Sequence, residues 1–236
     1  MKVWGHRGAS AYAPENTMEA FRICVEQGAD GIETDVHLTK DGICVLMHDE
    51  KLDRTCDKTG YIQDYTYEEL RKVNANNGSS EYAFCHVPSL EELLQLAKAS
   101  GIFLNLEIKT DVILYEGIEK KIADLVALYG LEKQVMYSSF NHYSLMKMKE
   151  IVKDAKIGLL YMEALYKPWL YTQSLEADAL HPYYPACVLD DYIANAHQHG
   201  IMVHPWTVNR KEDMQWLKKQ GVDAIITNDP KLALSI

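Results

Sequence analysis

The stretch "GIETDVHLTKDGICVLMHD", residues 31–49, places two acids two positions apart in an otherwise apolar run, then returns to a histidine after a short polar turn. Side chains alternate faces along a strand, so Ile32, Thr34, Val36 and Leu38 share one face and Glu33, Asp35 and His37 the other. If the apolar face packs on helices, the acids point into the interior of a sheet. A solvated strand face would show the same alternation, so the neighbouring sequence has to decide. Asp41-Gly42 is a favoured two-residue hairpin turn. A turn there pairs Lys40 with Ile43, Leu38 with Val45 and Asp35 with His48, which sets the histidine beside the acids.

The device recurs at "FLNLEIK", residues 103–109, where Leu104, Leu106 and Ile108 form one face and Asn105, Glu107 and Lys109 the other. Working outward, short apolar runs at 2–6, 31–38, 102–108, 134–139, 156–161, 178–184, 201–208 and 223–228 alternate with amphipathic stretches at 17–28, 89–101, 115–130, 190–200 and 211–221, which close on glycine. Eight strands alternating with helices in 236 residues predict an α/β fold, a (β/α)8 TIM barrel forming a single domain over 1–236. An open doubly wound sheet is the alternative, and it usually carries a glycine-rich first turn that is not obvious here. Residues 49–88 are too long for an ordinary connection and too polar for a core element, and are expected to form a small insertion over one mouth of the barrel. Asn16 or Thr17 after Pro14 suits a helix start, and Asn16 with Glu19 has the spacing of a capping box, with a reach into the site as the competing role of Asn16.

A formal charge of -10 argues against a non-specific hold on nucleic acid or an anionic membrane, since both are bound through basic patches. Cys24, Cys44, Cys56, Cys85 and Cys187 are scattered and odd in number, with no CxxC spacing, which fits free thiols in a reducing compartment. With no secretory signal core and no long apolar run, a cytoplasmic protein without stable membrane insertion is expected.

Barrel sites lie at the C-terminal ends of the strands. Three carboxylates converging there would repel one another and raise each other's pKa unless a cation neutralised them. All-oxygen ligation suits Ca²⁺ or Mg²⁺ better than Zn²⁺. The first strand ends in "GHRGAS", which brings His6 and Arg7 to the same mouth. Together with Lys109 and a cation they form a positive spot suited to a phosphate. Two histidines flanking a phosphate suggest a paired general acid and base. Asp49 either orients a histidine or closes the turn.

In order along the chain, His6-Arg7-Gly8, Pro14-Glu15-Asn16-Thr17, Glu33-Thr34-Asp35, Asp41-Gly42, His48-Asp49, Leu52-Asp53-Arg54-Thr55 and Leu106-Glu107-Ile108-Lys109 make a combination that resembles the glycerophosphodiester phosphodiesterase family. "PWTVN" (205–209) and "GVDAIITNDP" (221–230) look like that family's closing strands. The resemblance implies a divalent metal on Glu33, Asp35 and Glu107, His6 and His48 as the acid–base pair, and Arg7 and Lys109 on the phosphate. It also implies hydrolysis of a small glycerophosphodiester to glycerol 3-phosphate and an alcohol. Trp206 and Phe140, at strand ends, are candidates to line the glycerol or alcohol pocket, with plain core packing as the competing role. His181 and His204 are expected to be hydrogen-bonded histidines closing their strands rather than site residues. Two rival functions are a lysophospholipase D, which would want an apolar lip that the chain does not clearly show, and a phosphodiester-binding protein without turnover. Tyr61, Tyr65 and Tyr67 of the insertion are weak candidates for such a lip.

Overall fold

The computed structural model describes residues 1–189 and 191–236. Among the described residues nine strands form: β1 Lys2–His6, β2 Gly31–Leu38, β3 Cys44–Leu46, β4 Phe103–Ile108, β5 Val135–Ser139, β6 Ile157–Tyr161, β7 Ala179–Pro182, β8 Met202–Val203 and β9 Ala224–Thr227. Eight are parallel neighbours in the order β8-β7-β6-β5-β4-β2-β1-β9, and β3 hangs antiparallel on β2. Asp223 N donates to Val203 O, Ile226 N to Pro205 O and Val208 N to Ile226 O, so the two ends of the sheet meet and the barrel closes. The strand expected over 201–208 is regular only at Met202–Val203, because Pro205 has no N–H for a ladder and the chain continues with a lone bridge from Trp206 to Tyr183.

Helices cover the outside: α1 Met18–Glu26, α2 Tyr67–Leu70, α3 Leu90–Ser100, α4 Ile118–Tyr129, α5 His142–Ile151, α6 Pro168–Ser174, α7 Tyr192–Gln198, α8 Lys211–Gln220 and α9 Pro230–Leu234. The first residue of the helix expected over 190–200, Asp190, lies outside the described residues. α3 illustrates the local logic. Ser89 and Glu92 make a reciprocal capping box, Leu90, Leu93, Leu94 and Ala97 repeat at helical spacing and are buried, and Gly101 ends the helix in the left-handed conformation. The outward faces of β2 and β4, including Ile32, Val36, Leu104 and Leu106, pack beneath α1, α3 and α4 in one core. Inside the barrel, Trp4, Met136, Ala179, Ala224 and Ile226 form a second one, with Trp4 stacked on Phe103. β2 is buried along its whole length, which removes the solvated-face reading of its acids.

The β2–β3 hairpin differs from expectation by one residue. The observed pairs are Val36 with Leu46, His37 with Val45 and Leu38 with Cys44, so Leu38 does not face Val45 and Asp35 does not face His48. Gly42 N donates to Thr39 O and Thr39 N to Ile43 O, and Gly42 sits at φ 77. That is a turn followed by a left-handed glycine bulge, which adds one residue to the loop and shifts the register. Between β3 and α3, the polar segment nonetheless builds a small core: Leu52, Ile62, Leu70, Val73 and Val87 pack on Val45 and Met47.

Candidate active site

β1 delivers His6 and Arg7 to the mouth and then reverses sharply. Arg7 is in the left-handed region at φ 57, an uncommon state for a residue with a side chain and one that recurs at functional sites. Gly8 follows at φ 81, and a Cβ there would lie 2.7 Å from the backbone of Ala20. Only glycine lets this turn sit against α1. The reversal directs Arg7 N toward Glu33 Oε2 at 3.1 Å and its guanidinium toward Glu15 at 2.8 Å and Asp35 at 3.5 Å.

Register then assembles the acids. His6 pairs with Glu33, Glu33 with Asn105, and Asp35 with Glu107, so alternation puts all of them on the inner wall. One oxygen from each of Glu33, Asp35 and Glu107 lies within 4.8 Å of the others, and all three residues are buried. Burial, with Asp35 and Glu107 close by, pushes Glu33 well above the carboxylate range. Burial and the Asp35 charge raise Glu107 to about 7 against the pull of Lys109. Burial would raise Asp35 too, but Arg7 and Lys109 outweigh it and hold that carboxyl below its usual range. Lys109 Nζ is 3.1 Å from Glu107 and 3.9 Å from Asp35. Asp35 Oδ1 is buried and has no hydrogen-bond partner. Three hard oxygen donors in mutual repulsion, one of them with an unmet acceptor, fit a divalent cation with oxygen preference.

His48 reaches the pocket although its pairing was misplaced, because β3 stops at Leu46 and the chain bends over residues 48–50. Asp49 Oδ1 lies 2.6 Å from His48 Nδ1, which settles the open role of Asp49 as the group that orients the ring. Arg54 joins Asp49 at 2.7 Å to Glu15 at 2.7 Å, and Glu15 in turn holds Arg7. The two arms of the site are therefore tied by one run of charges, Arg7–Glu15–Arg54–Asp49–His48. Across the pocket, His6 Nδ1 is 2.7 Å from Asn228 Oδ1, and burial, helped by the Arg7 charge, lowers His6 to about 4.

The remaining wall is apolar. Phe140 and Trp206 meet edge to face at 5.5 Å, and with Leu160 and Ile226 they complete a pocket whose other lining residues are His6, Arg7, Glu33, His48, Asn105 and Glu107. Larger clefts, ≈ 590 Å³ between residues 10–15 and 76–82 and ≈ 650 Å³ beside residues 164–169, hold no such set of histidines and carboxylates. Just past β6, Met162 is 57% exposed, and Tyr183, packed on Trp206, is 37% exposed, whereas Leu165, Tyr166 and Leu189 line the separate cleft beside residues 164–169. Tyr183 thus adds a partly exposed aromatic edge beside Trp206 at the pocket. Tyr61, Tyr65 and Tyr67 do not line the pocket: Tyr61 packs under the Lys51 ammonium, while Tyr65 and Tyr67 hydrogen-bond to Thr59 O and Glu92.

The structure brings together His6, His48, Arg7, Lys109, Trp206, Glu33, Asp35 and Glu107. It moves one residue into the site: Thr17, not Asn16, caps α1, while Asn16 Nδ2 donates to Asp35 Oδ2 at 2.8 Å and Thr34 donates to Asn16 Oδ1. Glu15, Arg54 and Asn228 had no assigned role in the sequence, although the first two stand inside motifs already singled out. His181 and His204 lie inside the barrel, with His204 Nδ1 3.0 Å from His181 Nε2, as expected of structural histidines.

Fold and site together define a (β/α)8 barrel of the phosphodiesterase class. The model of the Glycerophosphoryl diester phosphodiesterase family matches residues 6–232. The chain is 43% identical over 235 residues to a glycerophosphodiester phosphodiesterase of Caldanaerobacter subterraneus subsp. tengcongensis, covering 99% of this chain and 96% of that one. It is 36% identical to one from Bacillus altitudinis, covering 100% and 97%. An Oleispira antarctica phosphodiesterase solved in complex with the product sn-glycerol-3-phosphate superposes with a TM-score of 0.88 at 28% identity, covering 100% of this chain and 96% of that one. The chain belongs to the glycerophosphoryl diester phosphodiesterase family and is an enzyme of it. Among the described residues, no helix is long and apolar enough to cross a membrane.

Proposed function

We propose that this enzyme hydrolyses a glycerophosphodiester to sn-glycerol 3-phosphate and an alcohol, working as a single-domain protein in the cytoplasm, where its five free thiols stay reduced. The observation that carries the reading is the buried Glu33–Asp35–Glu107 cluster, with two oriented histidines and Arg7 lining one pocket and Lys109 paired to Glu107 and Asp35 behind it. A divalent cation, Ca²⁺ or Mg²⁺, held by those three carboxylates would stabilise charge on the non-bridging phosphate oxygens. Arg7 and Lys109 bind the same phosphate from the protein side, and Asn16 and Glu15 keep Asp35 and Arg7 in place.

His6, kept neutral by burial and donating Nδ1–H to Asn228, turns its Nε2 lone pair to the pocket and takes the proton of the attacking hydroxyl. His48 is 35% exposed at the side chain, on the solvent side of the pocket, and donates Nδ1–H to Asp49. It protonates the departing alcohol. The nucleophile is water or the substrate's own 2-hydroxyl, and trapping a cyclic glycerol phosphate with a slow histidine variant separates the two.

The test is phosphorus NMR of the products, with metal-stripped enzyme and after adding back Ca²⁺ or Mg²⁺, and calorimetric titration of each ion. Release of glycerol 3-phosphate that depends on the ion is expected. Release of free glycerol and a phosphorylated head group, or full rate in the stripped enzyme, would overturn the reading. The exposed Met162 just past β6 and the partly exposed Tyr183 packed on Trp206 favour a second reading, turnover of a monoacyl phosphodiester, which a lysophospholipid assayed alongside its deacylated counterpart resolves.

A further inference from the structure

We infer that Asn105 reads the vicinal diol of the substrate's glycerol, an assignment that rests on the hydrolase reading above. Asn105 is 1% exposed and lines the catalytic pocket, yet neither its Nδ2 nor its Oδ1 has a hydrogen-bond partner. An unmet buried carboxamide costs stability and calls for a ligand. Its place in the barrel says which part of the ligand. Asn105 sits beside Glu33 in register, two residues before Glu107 on the same inner face of β4, hence about 7 Å deeper than that carboxylate. His6 and Glu33 share the layer of Asn105, while Asp35, Glu107 and Lys109 stand one layer above, so the phosphate held by the cationic groups lies above Asn105 and His6 faces the hydroxyls beside it. The alcohol departs outward past His48, and what remains at the bottom is the glycerol of the product. The apolar lining, Leu160, Ile226 and Trp206, suits carbon, and Asn105 brings to it a carboxamide that, unlike the Trp206 indole or the His6 ring, has no partner inside the protein. A carboxamide offers an acceptor and two donors in one plane. Two adjacent hydroxyls match it, one donating to Oδ1 and the other accepting from Nδ2–H.

The experiment compares kcat/KM for a glycerophosphodiester and for its propane-1,2-diol analogue, which lacks the terminal hydroxyl but keeps the 2-hydroxyl and so any nucleophile it supplies. The wild type is expected to disfavour the analogue about a hundredfold, because a polar site left unpaired discriminates strongly. Asn105→Leu is expected to lose about a hundredfold on the glycerol substrate and to distinguish the two by less than about threefold, since the two losses share one interaction. Because the amide has no internal partner, this variant should melt at or above the wild-type temperature, whereas a sharp drop would show that the amide serves folding and overturn the assignment. Calorimetry of the wild type with sn-glycerol 3-phosphate and with propane-1,2-diol phosphate needs no variant and should show the same preference. Undiminished discrimination in Asn105→Leu, or none in the wild type, refutes the role of Asn105 alone. No turnover of either substrate by the wild type refutes the hydrolase reading itself.

Discussion

The two sides of the barrel mouth share one backbone plan and differ in what they line it with. β1, β2 and β4 present His6, Glu33, Asp35, Asn105 and Glu107 on their inner faces, with Arg7 and Lys109 just beyond. β5 to β9 present Phe140, Leu160, Trp206 and Ile226 toward the same pocket. Charge placed on one half meets little competing polarity from the other, and the apolar half keeps the local dielectric low, where each ionic contact counts for more. The difference predicts a division of labour: phosphate, protons and the glycerol contact inferred for Asn105 on the first half, and apolar contact with the substrate on the second.

The sharpest way to break this division is to remove an acid. Glu33→Ala or Glu107→Ala is expected to lower kcat by roughly 10³-fold or more, the equivalent of several kcal/mol of lost charge stabilisation, and to abolish calorimetric binding of Ca²⁺ or Mg²⁺. Activity that survives without the ion would sink the claim that this half carries the charge. His48→Ala comes next, with a loss of about 10²–10⁴-fold in kcat and little change in binding of a glycerophosphodiester, because the ring moves a proton rather than holding substrate. On the other half the expected effect changes in kind as well as size. Trp206→Ala should raise KM by about tenfold with kcat nearly kept, since its indole, anchored by Nε1 donating to His181 O at 2.8 Å, contributes apolar contact. A kcat collapse in Trp206→Ala would show that the two halves are not separable.

Much of the charged half was legible before folding, because alternation along a strand is a local rule and Glu33, Asp35, Glu107 and Lys109 obey it. His48 lines the pocket, but not through the expected pairing: the left-handed Gly42 bulge slips the hairpin by one, and the bend after Leu46 brings the histidine back. Partners across long separations were not legible. Asn228 meets His6 from 222 residues away, and Asn16 meets Asp35 across 19, with nothing in either local pattern to announce it. The apolar half was the harder one to read. Phe140 and Trp206 were visible as aromatics at strand ends, but Tyr183 comes to stand beside Trp206 only when neighbouring strands are brought together. α5 was also missed: Ser144, Leu145 and Met148 are its buried positions, too few and too polar for a clear helical stripe.

The smallest expected change in activity comes from His181→Leu, and it separates the halves by pH rather than by rate. His181 is fully buried and pushed down to about 3 by desolvation, while Glu107, on the charged half, is raised to about 7 by burial first and the Asp35 charge second. Their signs oppose. Between about pH 3 and 6.5 the unfolded chain binds a proton at His181 that the folded chain refuses, so this group makes stability rise with pH by about 1.4 kcal/mol per unit. Between about pH 4.5 and 7 the metal-free folded chain keeps a proton on Glu107 that the unfolded chain releases, so that group makes stability fall with pH at a similar rate. In metal-stripped protein the two partly cancel where their windows overlap. His181→Leu should therefore keep kcat within about twofold and flatten the acid side of the stability profile, whereas Glu107→Gln should flatten the neutral side. Denaturant titrations at half-unit pH steps measure both. A profile for His181→Leu that parallels the wild type would mean that this histidine is hydrated and titrates freely, and the inner wall of the second half would then not be the dry one its lining describes.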